Sequence, residues 1–326
     1  LQGGVRRAGD RLRLTTELSD AETGAIIRAD RHDGETGDLF ALQDRIAERV
    51  IGMIAPQVRE RELARALRKP PTSLTAYDLV LRAMAEMRYM DRPSMQRAFT
   101  LLREAAALEP AHSLPHSHLA WWHVFWSAQG WSQDWAEDAD AADAAARVAL
   151  ERDRNDGMAL AVRGLMLSYM QRDFGLARRL LDQAVAVSPS CALAWSCGSS
   201  LRAWLDERVE ALRWAERAVR LAPLDPFSFL HEQILAHAFY TAERFDDALH
   251  WCHTSLANNP RHTPTWRTLI ASLVALGRVA EARDPCARLL ELQPSFSLEG
   301  YARLTPLQGV TRDVFISRLK TAGLPG

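Results

Sequence analysis

The sequence predicts a mainly α fold: an α-solenoid of about six helix-turn-helix repeats, preceded by a β-hairpin and a helix left over from an α/β domain. Two internal ladders carry the first part. Ala98, Ala142, Ala177, Ala211, Ala248 and Ala282 recur 44, 35, 34, 37 and 34 residues apart. Twelve residues after each comes Pro110, Arg154, Pro189, Pro223, Pro260 or Pro294. A small residue inside a helix and a helix stop beyond it, at a period near 34, mark stacked helical pairs. A short stretch of alternating polarity near the start of the chain carries the second part.

That stretch is Arg11-Leu-Arg-Leu-Thr-Thr-Glu-Leu18, with Leu12, Leu14 and Leu18 on one face. It reads as a half-buried strand. Ser19-Asp-Ala-Glu-Thr-Gly24 has turn chemistry, and Ala25 to Arg31 reads as the returning strand, so the hairpin spans 5–31. Two strands alone are marginal in water, which places the other strands of the sheet before Leu1. Asp38 is an N-cap for a helix over 38–67, with Leu39, Leu42, Ile46, Val50, Met53 and Ile54 at helical spacing. Pro56 should kink it. Lys69-Pro-Pro-Thr-Ser73 ends this first segment, residues 1–69.

Residues 70–305 are the array. Each pair has a helix A, a turn, and a helix B that carries the alanine. Four residues on lie Leu102, Ala146, Leu181, Ala215, Cys252 and Cys286; seven on lie Ala105, Ala149, Ala184, Ala218, Ser255 and Leu289. These positions share one helix face, which must be the buried one. The second repeat is longer, with Ala128-Gln-Gly-Trp-Ser-Gln-Asp-Trp135 between its helices, and the fifth has extra residues around Pro223-Leu-Asp-Pro226. Pro285 should bend or delay the last helix B. In 306–326, Asp313 to Ala322 reads as a short capping helix.

The third repeat, with Ala161, Gly164, Leu165, Ala177, Leu181, Ala184 and Pro189, resembles the tetratricopeptide repeat (TPR) family. The resemblance covers about two thirds of the chain. Gly4-Val-Arg-Arg-Ala-Gly-Asp-Arg-Leu-Arg-Leu-Thr15, Asp20-Ala-Glu-Thr-Gly24 and Asp38 to Val50 are similar to the end of a TolB-like α/β domain, and Arg318 to Pro325 resembles the natural C-terminus of such proteins. That family implies a bacterial signalling protein whose effector lies further N-terminal, a class III adenylate/guanylate cyclase or a winged helix that binds DNA. Its second strand is usually aromatic, and here Ile27 to His32 depart from that pattern.

Bulk properties exclude several classes. Lys+Arg 40 against Asp+Glu 41 gives a net charge of −1, so the field a nucleic-acid binder needs is missing. No apolar run approaches the length of a membrane helix. Arg6, Arg7 and Asp10 follow too soon after Leu1 for a signal peptide, and without an initiator Met the chain reads as a segment of a longer protein. Four scattered cysteines, at 191, 197, 252 and 286, suit a reducing compartment, so the expected location is cytoplasmic.

Candidate sites are few. His112, His116 and His123 could share a helix face as metal ligands, but no Cys, Asp or Glu completes a set and Pro115 sets His112 apart; cap and surface roles are the expectation. Cys252 and Cys286 share one repeat position and read as small core residues. Trp121, Trp122, Trp126, Trp131 and Trp135 form a dense cluster with two readings: core around the long loop, or anchors for a partner. Trp195, Arg202, His237 and Arg267 are further helix A candidates for the concave face. No P-loop, GxGxxG or GxSxG motif occurs, so no catalytic residue and no cofactor is assigned. The expectation is a non-catalytic interaction module that holds a protein or peptide partner in its concave groove. The other readings are the regulatory half of an adenylate cyclase, or of a winged-helix regulator. Oligomeric state is open.

Overall fold

A computed structural model describes residues 2–19, 24–35, 58–70 and 73–326. The expected helix over 38–57, with its N-cap at Asp38 and kink at Pro56, and the turn residues 20–23 lie outside the described residues. The helix is described over 58–68 (α1).

The expected hairpin is present as β2 (Arg11–Ser19) and β3 (Ile26–Glu35), antiparallel, with Leu14 opposite His32. A further strand of this sheet, not expected from the sequence, lies within the chain. It is β1 (Gln2–Ala8), which pairs with β2 through a tight turn at Gly9 and Asp10 to give the order β1-β2-β3. Every residue of β1 is exposed, so no alternation marks it. Gly9 has a φ of 60°, which a glycine adopts without strain.

Helical pairs follow: α2 (Ala76–Met87) with α3 (Arg92–Leu108), α4 (Ser113–Ala128) with α5 (Trp135–Arg152), α6 (Gly157–Met166) with α7 (Phe174–Val187), α8 (Ala192–Trp204) with α9 (Arg208–Leu221), and α10 (Ser228–Thr241) with α11 (Phe245–Asn258). The sixth pair is α12 (Thr263–Ala275) with a 3₁₀ turn, Val279–Ala282, running into α13 (Arg283–Leu292). Pro285 thus sits in the first turn of a delayed helix B, where its missing N–H leaves no helical bond unmade.

The alanine ladder is the seam of the array. All six alanines are 0–1% exposed, as is every residue seven positions on. Close approach of the backbones explains the small side chains. At Gly164, opposite this seam, a Cβ would lie 2.6 Å from Leu181 Cγ and 3.2 Å from the Ala177 carbonyl oxygen. The second ladder falls in a turn in all six repeats. In five of them the residue just before it closes the helix, as when Glu109 N–H donates to the Ala105 carbonyl at 3.1 Å and Asn259 N–H to that of Ser255 at 2.8 Å.

A third regularity is conformational. Each A-to-B turn contains one residue at positive φ: Met90, Gly130, Arg172, Asp206, Glu243 and Gly277. In the second, fourth, fifth and sixth pairs the next N–H reaches five residues back, as in Glu207 to Arg202 at 2.8 Å, Arg244 to Phe239 at 3.0 Å and Arg278 to Leu273 at 2.9 Å. This is the left-handed helix ending that releases the chain into the next helix. In the third pair a π-helical turn, Leu167–Gln171, inserts one residue, and Asp173 N–H reaches six back to Leu167.

After α13 come α14 (Leu298–Leu304) and α15 (Gly309–Thr321), the latter in the place expected of the capping helix. The Leu298 N–H donates to the Pro325 carbonyl at 2.8 Å and Arg318 donates to the Tyr240 hydroxyl at 2.7 Å, so the C-terminal segment folds back onto the fifth and sixth pairs.

Candidate functional site: the lumen of the array

The array curves until its sixth pair meets its first two. Gln129, fully buried at the end of α4, accepts from the Thr263 N–H at 2.9 Å and from its hydroxyl at 2.7 Å. Arg267 donates to the Ala128 carbonyl at 3.0 Å, and Asn259 to that of Arg88 at 3.0 Å. Arg261 pairs with Asp91 at 3.3 Å. Aromatic contacts continue the seam: Phe125 lies 6.2 Å from His262, and Trp121 lies 4.8 Å from Phe227. The concave side is therefore a lumen rather than an open trough.

Trp121 lines two cavities in that lumen. One, of about 350 Å³, lies between Tyr77, His118, Met158 and Phe227. The other, of about 120 Å³ and partly open, is walled by Tyr169, Trp204, Leu230 and Ile234 and bordered by Tyr301, Thr305 and Phe315 of the C-terminal segment. Arg172, the left-handed residue of the third turn, ties that segment down by donating to the Thr305 carbonyl at 3.1 Å.

The smaller cavity carries unusual polarity for its burial. Arg267 is 6% exposed, sits over the Tyr301 ring at 5.1 Å, and donates to Ala128 and to Gln293. No carboxylate pairs with it among the described residues. His237 is 9% exposed, and its Nε2 has no hydrogen-bond partner; neither has Thr305 Oγ1, in a residue 2% exposed. Burial, with Arg267 adding, pushes His237 down to about 4, so its imidazole is neutral at ordinary pH. The same two causes bring His262 to about 3. Burial raises the Tyr169 phenol to about 12.

Six pairs with a common buried seam, a common helix stop and a common left-handed turn, all in phase at about 34 residues, decide the architecture. The array is a tetratricopeptide-repeat solenoid. No family model matches the chain. Its fold is similar to that of the APC/C hetero-tetramer Cut9–Hcn1, at 11% identity over 86% of this chain and 49% of that one, with a TM-score of 0.53. It is also similar to PilW, a type IV pilus biogenesis factor (17% identity, 64% of this chain, 88% of that one, TM-score 0.47). TTC0263, a TPR protein of Thermus thermophilus, matches at 16% identity over 63% of this chain and 98% of that one, with a TM-score of 0.46. In sequence, 172 residues are 27% identical to "Putative adenylate cyclase 3" of Rhizobium meliloti (strain 1021), covering 53% of this chain and 29% of that protein's length.

The TPR packing decides where each singled-out residue lies. Trp121, Trp122 and Trp131 are 5–6% exposed and belong to the core; Trp122 Nε1 donates to the Met95 carbonyl at 2.7 Å. Trp126 is half-buried at the edge of this cluster, stacked on Trp122 at 5.0 Å with Arg92 over its ring. Trp135 is half-buried too, donating to the Met170 carbonyl at 3.3 Å. Trp195 and Arg202 enter one stack: Arg202 lies 3.6 Å over Trp214, Trp214 is 4.7 Å from Trp195, and Arg202 also pairs with Asp182 at 2.7 Å. His237 and Arg267, singled out separately, come together in the lumen.

The three histidines do not converge. His112 is the N-cap of α4 and exposed, His116 is half-buried, and His123 is hydrogen-bonded to Asp138 at 2.8 Å. Among the described residues no group of three or more His, Cys, Asp or Glu could hold a metal ion. Cys252 and Cys286 are buried in the seam, and burial raises both thiols, Cys286 to about 11. No described helix is long and apolar enough to cross a membrane. Tyr169, Trp204 and Thr305 line the smaller cavity without having been singled out from the sequence. No local signal marks them, because the lumen is made by the curvature of the whole array.

Proposed function

We propose that this chain is the non-catalytic regulatory module of a bacterial signalling protein, binding a protein or peptide partner and relaying that event to an N-terminal effector in the cytoplasm. The single observation that carries it is the TPR solenoid: its buried seam and repeated turns hold a continuous surface, and among the described residues no catalytic set of side chains is gathered. In this reading residues 1–69 end a TolB-like domain, 70–305 are the partner-binding array, and 306–326 cap it. Of the tryptophans, Trp126, Trp135 and Trp195 keep exposed surface for a partner; Trp is a typical interface anchor.

The match to the Rhizobium meliloti protein favours a nucleotide cyclase as the parent, with this chain as its regulatory half. The test has two arms. The purified chain, given ATP and a divalent metal, should form no cyclic AMP; turnover would make it an enzyme. Trp126→Ala should keep the helical signal and lose a defined cross-linked partner from cells expressing the parent. Loss of the helical signal, or an unchanged cross-link, would remove Trp126 from the interface.

A further inference from the structure

The smaller lumen cavity holds a charge that no carboxylate among the described residues balances. Arg267 has left water almost completely, yet its described partners are two neutral oxygens and one aromatic face. Buried guanidinium groups are ordinarily matched by a carboxylate, because removing the charge from water is costly. Two more residues that line it each carry a buried polar atom without a partner, His237 Nε2 and Thr305 Oγ1, although buried polar groups are hydrogen-bonded as a rule. The three come from α10, α12 and the segment after α14, so no single stretch of chain explains them. The rest of the wall is mainly hydrocarbon and ring, as at Tyr169, Trp204, Leu230, Ile234 and Phe315, with Ser200, Gln233, His262 and Thr268 as further polar members.

We infer that this cavity binds a small apolar monocarboxylate, its carboxylate on Arg267, Thr305 and His237 and its hydrocarbon body between Trp204, Tyr169 and Leu230. A carboxylate supplies what the site lacks: a negative charge for the guanidinium and lone pairs for the Thr305 hydroxyl and for an imidazole N–H. Size narrows the class. An apolar cavity of about 150 Å³ takes up benzene, and this one measures about 120 Å³. A short branched acid such as isovalerate matches that size, and benzoate is the upper end of the range, its carboxylate reaching toward the open side of the pocket. A bound acid would touch α8, α10, α12 and the C-terminal segment at once, so it would hold the closed array together. The inference does not depend on the chain being an interaction module, since it concerns a small molecule inside the array.

The probes are benzoate, phenylacetate and isovalerate, with toluene and acetate as controls, added to the full chain and followed by melting temperature and tryptophan fluorescence. At least one of the three acids should give a saturable rise in melting temperature. Toluene lacks the charge and acetate the body, and both should bind at least about tenfold more weakly. Arg267→Met should abolish the response. If that variant does not fold, Thr305→Val, which removes one hydroxyl and keeps the shape, should weaken binding roughly tenfold. Three results would each overturn the inference: no saturable response to any of the acids, toluene binding as well as benzoate, or a folded Arg267→Met that still responds.

Discussion

Gln129 and Thr263 are 134 positions apart and share three hydrogen bonds in the protein interior, two of them, at 2.9 and 2.7 Å, to a single amide oxygen. They close the solenoid upon itself. Replacing Gln129 by Leu would strand the Thr263 N–H away from water and leave its hydroxyl only the Gln129 backbone carbonyl, 3.4 Å away. An orphaned buried group costs about 1–3 kcal/mol, so the variant should lose roughly that much in urea unfolding. A loss within experimental scatter would mean that the closure contributes nothing.

The seam predicts a sharp size limit. Ala177→Leu forces three extra carbons into the crossing of α6 and α7, and Gly164→Ala puts a methyl 2.6 Å from Leu181 Cγ. Overpacking of this kind costs about 1–3 kcal/mol, occasionally more. Both variants should lower the melting temperature, with Ala177→Leu the worse. An unchanged melting temperature would break the repeat register.

The left-handed turns predict opposite signs at equivalent positions. Asp206 and Glu243 adopt φ near 60° without being glycine, whereas Gly277 does so as glycine, with nothing within 4 Å of where a Cβ would stand. A non-glycine residue in this conformation carries about 1–2 kcal/mol of strain. Glu243→Gly should therefore stabilise by roughly 0.5 kcal/mol or more after the flexibility of glycine is offset, and Gly277→Ala should destabilise by about 1 kcal/mol. Equal responses at the two sites would show that the turn conformation is not shared.

The interior histidines predict acid sensitivity. Burial, the dominant cause for each, lowers His118 and His237 to about 4 and His262 to about 3. Unfolded histidine titrates near 6.5. Between those values the unfolded chain binds protons that the folded chain refuses, so stability is full above pH 6.5 and is lost as pH falls toward 4. Each histidine contributes up to ~1.4 kcal/mol per pH unit in that window. The urea midpoint should drop steeply from pH 6.5 to pH 4.5, and His118→Phe should flatten the drop. A midpoint level over that range would show these imidazoles to be solvated.

What periodicity could reveal was local. The alanines, the helix stops and the misfit of Pro285 all follow from spacing along one helix, and each is visible in the chain as written. The left-handed turns were hidden, because only Gly130 and Gly277 advertise them. β1 was hidden because its residues have no buried face. The lumen was hidden for a larger reason. His237 and Arg267 stood out singly as helix A residues, but their meeting with Thr305 depends on how far the array turns per repeat. The contact of Gln129 with Thr263 depends on the same accumulated rotation, which no window of the sequence contains. The tryptophan cluster had two readings, and packing divided it: Trp122 and Trp131 inside, Trp126 at the edge.

The closure of the array is tested most directly by amide hydrogen exchange at Thr263. In the native chain this amide, donating to the buried Gln129, should exchange slowly. In Gln129→Leu it should speed up on the order of tenfold or more, while amides of α7 such as Ala184 keep their native rates. Exchange at Thr263 as fast as in an open loop in the native chain, or at the same rate in both proteins, would contradict a solenoid that closes on itself.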